Sequence, residues 1–160
     1  MREMLALIVD DNRHAADIVR SVLRSIGTRQ TRYAANEEDA FRVFCGERFD
    51  LVILDQNLGR GGEGLSLARR IRVDPRSPNR LVPMLMLTAY AQQHNVLAAR
   101  DAGIDEFLMK PFTAKGLAER LASLMGRPRM FVSSTTYFGP DRRRSATPGY
   151  KGSERRKGGD

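Results

Sequence analysis

Short apolar runs that end abruptly at polar residues constrain this chain more than any other feature of its sequence. Four largely apolar runs occupy residues 5–9, 51–54, 84–87 and 106–109, and a weaker one occupies residues 31–34. Continuous apolar runs of this length are typical of strands buried on both faces, which occur in parallel sheets covered by helices on each side. We therefore expect five parallel strands.

Segments with helical periodicity separate these strands. Apolar residues recur at helical spacing from Ile18 to Ile26, and Gly27 then closes the helix. Asn36 and Thr113 stand at positions typical of helix N-caps. This alternation predicts an α/β fold, in which a five-stranded, parallel, doubly wound sheet is covered by five helices.

Acidic, hydroxyl and basic residues directly follow the apolar runs. They are Asp10 and Asp11, Asp55, Thr88 and Lys110. The carboxyl ends of parallel strands meet at one edge of the sheet, where ligands of such folds bind, so these side chains should share one crevice. Three carboxylates repel one another unless a cation intervenes, and Mg²⁺ prefers oxygen ligands of this kind. With Lys110 and the Thr88 hydroxyl beside it, such a site suits phosphoryl transfer to a carboxylate.

Four sequence motifs resemble those of a known family, the CheY-like receiver domains of bacterial two-component systems. The motifs are LIVDDN at residues 7–12, LVILDQNL at 51–58, MLTAY at 86–90 and EFLMKPF at 106–112. The resemblance covers about residues 4–125 and implies a flavodoxin-like (βα)5 fold. It also implies a response regulator, which is not an enzyme but a phosphorylation switch that changes partner binding or relays the phosphoryl group. Such a switch assists its own phosphorylation and dephosphorylation.

The resemblance implies a role for each acidic residue of the predicted crevice. Asp55 would be the phosphoacceptor, and a histidine kinase or a histidine phosphotransfer protein would be the donor. Asp11, Asp55 and the backbone carbonyl of Asn57 would bind Mg²⁺, while Asp10 would act on the ion largely through water.

The resemblance also implies which residues would contact the phosphoryl group. Lys110 would hold a phosphoryl oxygen, helped by the Thr88 hydroxyl and the Ala89 backbone N–H. A shift of Thr88 and an inward turn of Phe107 would convert phosphorylation into a switch. The peptide bond between Lys110 and Pro111 would be cis.

One loop departs from the family pattern. Gly59 stands where the family commonly has proline, and the stretch from residue 57 to residue 65 is one residue longer than usual. We expect this loop to be looser, which affects the kinetics of the site but not the identity of the phosphoacceptor.

The C-terminal part of the chain differs in composition from the rest. Residues 1–126 carry 18 Lys and Arg against 16 Asp and Glu, whereas residues 127–160 carry 9 against 3. We therefore predict a receiver domain over residues 1–126 and a basic tail over residues 127–160. The tail has too few apolar residues for a core of its own, so it should be disordered, extended or draped over the receiver.

The tail contains two copies of the element Tyr-x-Gly-x-acid-Arg-Arg, which are 13 residues apart. Their candidate recognition residues are Tyr137, Arg142 and Arg143 in the first copy, and Tyr150, Arg155 and Arg156 in the second. The acidic positions argue against a simple phosphate-binding patch, so a downstream protein partner is favoured over nucleic acid. The argument for nucleic acid is the presence of Arg pairs beside aromatic rings. A third interpretation is that the tail only makes the chain more soluble.

Composition and motif spacing restrict the location of the chain and its possible enzymatic activity. Cys45 is the only cysteine, which excludes an intramolecular disulfide, and no apolar run approaches the roughly 18 residues of a membrane span. With no signal-peptide pattern at the start, these features favour the cytoplasm. If the chain were an enzyme, it would be a Mg²⁺-dependent aspartyl phosphatase. Haloacid-dehalogenase-like phosphatases have Asp-x-Asp after the first strand, whereas this chain has the adjacent pair Asp10 and Asp11.

Overall fold

Strands and helices alternate along most of the chain, and a pair of short strands follows. The structure is a computed structural model that describes residues 3–59, 62–89, 93–127 and 129–142. In chain order the elements are β1 (Leu5–Val9), α1 (Arg13–Ser25), β2 (Gln30–Ala34), α2 (Glu37–Gly46), β3 (Leu51–Asp55), α3 (Gly64–Val73), β4 (Met84–Thr88), α4 (Gln93–Asp101), β5 (Glu106–Met109), α5 (Ala114–Gly126), β6 (Phe131–Ser133) and β7 (Phe138–Pro140).

The first five strands form one parallel sheet in the order β2-β1-β3-β4-β5. This confirms the predicted α/β fold with a five-stranded, doubly wound, flavodoxin-like sheet. From β1 the chain goes to one side of the sheet for β2 and to the other side for β3 and later strands. The carboxyl end of β1 therefore lies at the point where the strand order reverses, which is where such folds bind ligands.

Polar side chains start three of the helices. Asn12, Asn36 and Thr113 precede α1, α2 and α5, and each side-chain oxygen accepts a hydrogen bond from the backbone N–H three residues later, at 2.9–3.1 Å. These bonds satisfy N–H groups that have no partner within the helix. The N-caps predicted at Asn36 and Thr113 are confirmed. Among the residues that the structure describes, no helix has the length and apolar character that a membrane span needs.

Apolar side chains cover both faces of the sheet. In β1, Leu5, Leu7 and Val9 point into a core cluster shared with α2, α3 and α4, while Ala6 and Ile8 point into a second cluster shared with α1 and α5. The strands β1, β3 and β4 are buried along their whole length. This two-sided burial explains why their sequences are continuously apolar rather than alternating.

The strand register aligns the carboxyl ends of the central strands. Val9 pairs with Leu54, and Asp55 pairs with Leu87 on the other side of β3. Thr88 pairs with Met109, the last residue of β5. Asp10 follows Val9 and Lys110 follows Met109, so both are brought to the same edge of the sheet as Asp55 and Thr88.

The start of the basic tail folds against the receiver. The strands β6 and β7 form an antiparallel hairpin, in which Phe131 pairs with Pro140 and Ser133 with Phe138. Of the three states expected for the tail, residues 129–142 therefore adopt the one that is draped over the receiver. The boundary at residue 126 and the tail as a separate unit stay predictions. The predicted recognition residues Arg143, Tyr150, Arg155 and Arg156 lie outside the described residues.

Aromatic rings of the hairpin lie over arginines of the receiver. The guanidinium carbon of Arg72 is 4.8 Å from the centroid of the Phe131 ring, and that of Arg80 is 4.3 Å from the centroid of Phe138. A guanidinium within about 6 Å of an aromatic face is attracted to it. Both arginines come from α3 and the loop after it, so the hairpin is bound to this side of the receiver.

Close contacts at α4 complete the hairpin interface. A Cβ at Gly139 would lie 2.5 Å from the Tyr137 hydroxyl oxygen and 3.2 Å from the Cα of Gly103, so the hairpin packs closely on the receiver at this glycine. Arg142 pairs with Asp101 at 3.0 Å, and Arg100 donates to the carbonyl of Arg142 at 2.6 Å. The guanidinium of Arg142 also lies 3.9 Å from the centroid of a ring of its own repeat, that of Tyr137.

Candidate functional site

Three carboxylates meet at the carboxyl ends of β1 and β3. Asp10, Asp11 and Asp55 each offer an oxygen, and these oxygens lie within 4.8 Å of one another. Asp10 is only 2% exposed. Its Oδ1 accepts the backbone N–H of Asn12 at 2.8 Å, while its Oδ2 is buried without a hydrogen-bond partner among the described residues. Burial raises the pKa of Asp10, and the nearby carboxylates of Asp55 and Asp11 add to this rise.

The carboxylate cluster fits a small divalent cation. An unpartnered buried carboxylate oxygen is energetically costly, and clustered carboxylates repel each other, so a cation among them relieves both effects. An all-oxygen ligand set of this kind suits Mg²⁺. Asn57 follows the cluster on the β3–α3 loop, where its backbone N–H approaches Asp55 Oδ1 at 3.3 Å and its side chain accepts the N–H of Gly59 at 3.0 Å.

A lysine forms an ion pair with the Asp55 carboxylate. Lys110 follows β5, and its backbone N–H donates to the carbonyl of Thr88 at 2.7 Å. Its Nζ lies 2.7 Å from Asp55 Oδ2, in an ion pair that is partly buried. The peptide bond between Lys110 and Pro111 is cis, as the resemblance implies. Asp55 therefore contacts a positive charge and also shares the acidic cluster with Asp10 and Asp11.

The hydroxyl of Thr88 is engaged by a residue that the sequence did not single out. Thr88 is 6% exposed, and its Oγ1 donates to the side-chain oxygen of Gln56. Gln56 directly follows Asp55, and its backbone N–H bonds to the carbonyl of Leu87 at 2.9 Å. Its position next to Asp55 was the only signal in the sequence that could have identified it.

The site opens into a cavity of about 700 Å³. Its lining includes most of the residues predicted from the sequence together with neighbours on the two adjacent loops: Asp11, Asn12, Ala15, Asp55, Gln56, Asn57, Gly62, Glu63, Leu65, Ala89 and Lys110. The structure thus brings Asp10, Asp11, Asp55, Thr88 and Lys110 together, as the register of the strands requires. The roles predicted for them are not tested by this proximity alone. Tyr90 follows Thr88 by two residues, which predicts a position near the mouth of the site, but it lies outside the described residues.

The glycine-rich loop approaches the acidic cluster closely. Gly59 has a φ of 64°, and a Cβ there would lie 2.7 Å from Asp11 Oδ2. Gly62 donates to the carbonyl of Gly59 at 2.7 Å, and Leu58 donates to the carbonyl of Gly62 at 3.1 Å. The described part of the loop is therefore held by backbone hydrogen bonds beside Asp11. The expected effect of the loop on kinetics stays a prediction.

Phe107 does not line the cavity beside Asp55. Its half-buried side chain packs against the core cluster under α2, α3 and α4. It lines a second cavity, of about 410 Å³, between α4, β5 and the hairpin, whose lining includes Arg129 and Arg142. Arg129 pairs with Glu106 at 3.4 Å. The switch role of Phe107 stays a prediction, and its surroundings connect it to the hairpin rather than to Asp55.

The arrangement can hold a phosphoryl group on Asp55. A carboxylate oxygen is a competent nucleophile for phosphorus, provided that positive charge neutralises the phosphoryl oxygens. The acidic cluster can supply that charge through a bound cation, and Lys110 supplies it directly. The cavity beside Asp55 leaves space for the incoming group.

Comparisons with known proteins agree with this geometry. The family model described as the response regulator receiver domain matches residues 6–122. The chain is 34% identical over 126 residues to the chemotaxis protein CheY-3 of Vibrio cholerae, a match that spans 79% of this chain and 95% of that protein.

Two solved structures bear on the chemistry of the site. The receiver domain of a sensor histidine kinase from Pseudomonas aeruginosa PAO1 has a magnesium ion coordinated in its active-site cleft, and it matches with a TM-score of 0.67 and 29% identity over 79% of this chain and all of its own. A response regulator from Burkholderia pseudomallei contains a phosphorylated aspartic acid and a calcium ion, and it matches with a TM-score of 0.64 and 29% identity over 76% of this chain and 66% of its own.

Proposed function

Since this chain belongs to the response regulator receiver domain family, we propose that it is a phosphorylation switch whose phosphoacceptor is Asp55. The observation that carries this proposal is that the Asp55 carboxylate belongs to the acidic cluster and also lies 2.7 Å from Lys110 Nζ. One Asp55 oxygen attacks the phosphorus of a phosphohistidine donor. The P–N bond then breaks, and the imidazole leaves with the electron pair and takes up a proton.

Asp11, Asp55 and the backbone carbonyl of Asn57 would hold Mg²⁺, and Asp10 would act on it largely through water. When bound, the ion would neutralise charge on the phosphoryl oxygens during in-line transfer. The exposure of three of these residues supports this division. Asp10 is buried and does not line the cavity, whereas Asp11 and Asn57 are exposed and line it.

Three further groups would bind the phosphoryl oxygens of phosphorylated Asp55. Lys110 already contacts Asp55 Oδ2 and needs only a small shift to reach an oxygen on phosphorus. Ala89 lines the cavity and offers its backbone N–H. Thr88 offers a hydroxyl at the end of β4. Charge-assisted hydrogen bonds of this kind are stronger than those between neutral groups.

A histidine kinase or a histidine phosphotransfer protein is the proposed phosphoryl donor. A downstream protein that binds the tail repeat is the proposed partner of the switch. In the first copy, Tyr137 and Arg142 contact each other and Arg142 pairs with Asp101 on the receiver. A partner of that copy would have to displace these contacts, so partner binding and hairpin docking would compete.

The proposal is tested with acetyl phosphate and Mg²⁺, followed by intact-mass spectrometry. The wild-type chain should gain the mass of one phosphoryl group, and Asp55→Asn should gain none. Asp17→Asn is the matched control, since Asp17 is an exposed acid on α1 that pairs with Arg20. A phosphoryl group on Asp55→Asn would refute the assigned acceptor, and so would an unphosphorylated wild type under conditions in which a known receiver reacts.

A further inference from the structure

The hydrogen bond between Thr88 and Gln56 occupies the hydroxyl that the proposed switch needs. Thr88 is 6% exposed, so its hydroxyl depends on a protein partner. It donates to the side-chain oxygen of Gln56. A hydroxyl has one proton to donate, so Thr88 cannot donate to Gln56 and to a phosphoryl oxygen at the same time.

The backbone keeps Gln56 in place on both sides of this contact. Gln56 directly follows Asp55, and its N–H donates to the carbonyl of Leu87, the neighbour of Thr88, at 2.9 Å. Gly64 in turn donates to the carbonyl of Gln56 at 2.9 Å. Gln56 is thus attached to β4 and to the start of α3, while its side chain is half-buried at the wall of the cavity beside Asp55.

We propose that Gln56 is a positioning residue that retains the Thr88 hydroxyl in the unphosphorylated chain and releases it when Asp55 is phosphorylated. The proposal rests on the proposed function, since it needs a phosphoryl group on Asp55. In this exchange the Thr88 hydroxyl stops donating to the Gln56 oxygen and donates to a phosphoryl oxygen instead. The proton stays on Thr88, and no covalent bond changes. The Gln56–Thr88 bond therefore opposes the phosphorylated arrangement.

Removing the acceptor should favour the phosphorylated arrangement. Gln56→Met keeps an unbranched side chain of similar length but has no amide oxygen. In this variant the Thr88 hydroxyl loses the Gln56 oxygen as an acceptor in the unphosphorylated chain, while its bond to the phosphoryl group is unchanged. The net contribution of one hydrogen bond corresponds to an affinity change of roughly 2- to 10-fold.

The test is a double-mutant cycle on the binding of beryllofluoride, a phosphoryl analogue, in the presence of Mg²⁺. Full-length wild type, Gln56→Met, Thr88→Ala and the double variant are titrated and followed by NMR. We expect Gln56→Met to bind beryllofluoride roughly 2- to 10-fold more tightly than wild type and to change nothing in the Thr88→Ala background. In a Thr88→Ser background, which keeps the hydroxyl, the gain should return.

Two results would overturn the proposal. The first is an equal effect of Gln56→Met with and without the Thr88 hydroxyl, because it would show that Gln56 acts only through the structure of the loop. The second is an unchanged or weaker affinity in Gln56→Met. Failure of the proposed function looks different, since wild type would then bind no beryllofluoride and Asp55 would take no phosphoryl group from acetyl phosphate.

Discussion

Arg72 on α3 and Asp105 before β5 form an ion pair inside the protein, with 2.8 Å between Arg72 Nη2 and Asp105 Oδ2 and side-chain exposures of 1% and 4%. The other Arg72 N–H groups donate to the carbonyls of Gly103, Arg80 and Val82. Burial lowers the pKa of Arg72 to about 10, and burial also raises the pKa of Asp105. Burial thus disfavours the charged form of both partners, and their mutual attraction opposes this effect.

Asp105→Ala should therefore be strongly destabilising, because it leaves the Arg72 charge buried without its counter-ion. Breaking a buried pair in this way typically lowers the free energy of unfolding by about 3–5 kcal/mol. Asp105 Oδ2 also accepts the N–H of Met84 at 2.8 Å, so β4 loses a bond as well. Urea unfolding monitored by circular dichroism measures the change.

Glu47→Ala is the control, since its pair with Arg32 is exposed and should contribute less than about 1 kcal/mol. A similar small loss for both variants would contradict the prediction.

Magnesium binding should distinguish the carboxylates of the cluster. Asp11→Ala removes an exposed carboxylate proposed to bind the ion directly, so most of the affinity should be lost. Asp10→Ala removes a buried carboxylate proposed to act through water and should weaken binding less. Isothermal titration of the unphosphorylated chain with Mg²⁺ compares the two, and Asp17→Ala serves as an exposed control. Equal losses for Asp10→Ala and Asp11→Ala would contradict the assigned roles.

The sequence predicted the sheet and most of the site because both depend on local signals. The runs that became β1, β3 and β4 are apolar through their whole length, and each ends at a residue that the parallel register carries to one edge. Gln56 was missed because its contact with Thr88 joins two strands and leaves no periodicity in the sequence.

The hairpin was not predicted for a related reason. Its strands are three residues long, and the contacts that bind it to the receiver are Phe131 over Arg72 and Phe138 over Arg80. These are long-range pairs between an aromatic ring and a charged side chain. A search of the sequence for apolar patterns takes these arginines to be solvent-exposed, so it does not identify the interface between the hairpin and the receiver.

Gly59→Ala should weaken Mg²⁺ binding without removing the phosphoacceptor. The new Cβ would lie 2.7 Å from Asp11 Oδ2 and would displace that carboxylate, and the φ of 64° adds strain of about 1 kcal/mol or more for alanine. The same Mg²⁺ titration measures the effect. Gly46→Ala is the matched control, because nothing lies within 4 Å of a Cβ at that position. If Gly59→Ala binds Mg²⁺ as tightly as Gly46→Ala, Asp11 is not a direct ligand or the loop yields freely.

Lys110→Ala should impair the switch more than it impairs phosphorylation. The acidic cluster would still bind Mg²⁺ and support transfer, but the charge 2.7 Å from Asp55 Oδ2 would be missing when the phosphoryl group arrives. Mass spectrometry after acetyl phosphate treatment follows the transfer, and amide chemical shifts in α4 and β5 follow the switch. Lys115→Ala, whose side chain is 85% exposed, is the control. Phosphorylated Lys110→Ala with the full set of wild-type shift changes would show that Lys110 does not drive the rearrangement.

Truncation should show that the hairpin contributes to the stability of the receiver. A chain ending at Arg127 loses the Phe131 ring over Arg72 and the pair between Arg142 and Asp101, whereas a chain ending at Arg142 keeps both contacts. The shorter chain should lose at least the roughly 1–2 kcal/mol of a desolvated cation–π contact, because Arg72 lies inside the protein. The chain that ends at Arg142 should have the same free energy of unfolding as the full chain.

Point variants of the full chain test the same contact. Phe131→Ala should reproduce much of the loss, and Val132→Ala, an exposed change on the same strand, should not. Acetyl phosphate labelling of Asp55 should persist in the shorter chain, since the proposed site residues precede residue 127. Equal unfolding free energies for both truncations would instead show that the hairpin does not contribute to the stability of the receiver.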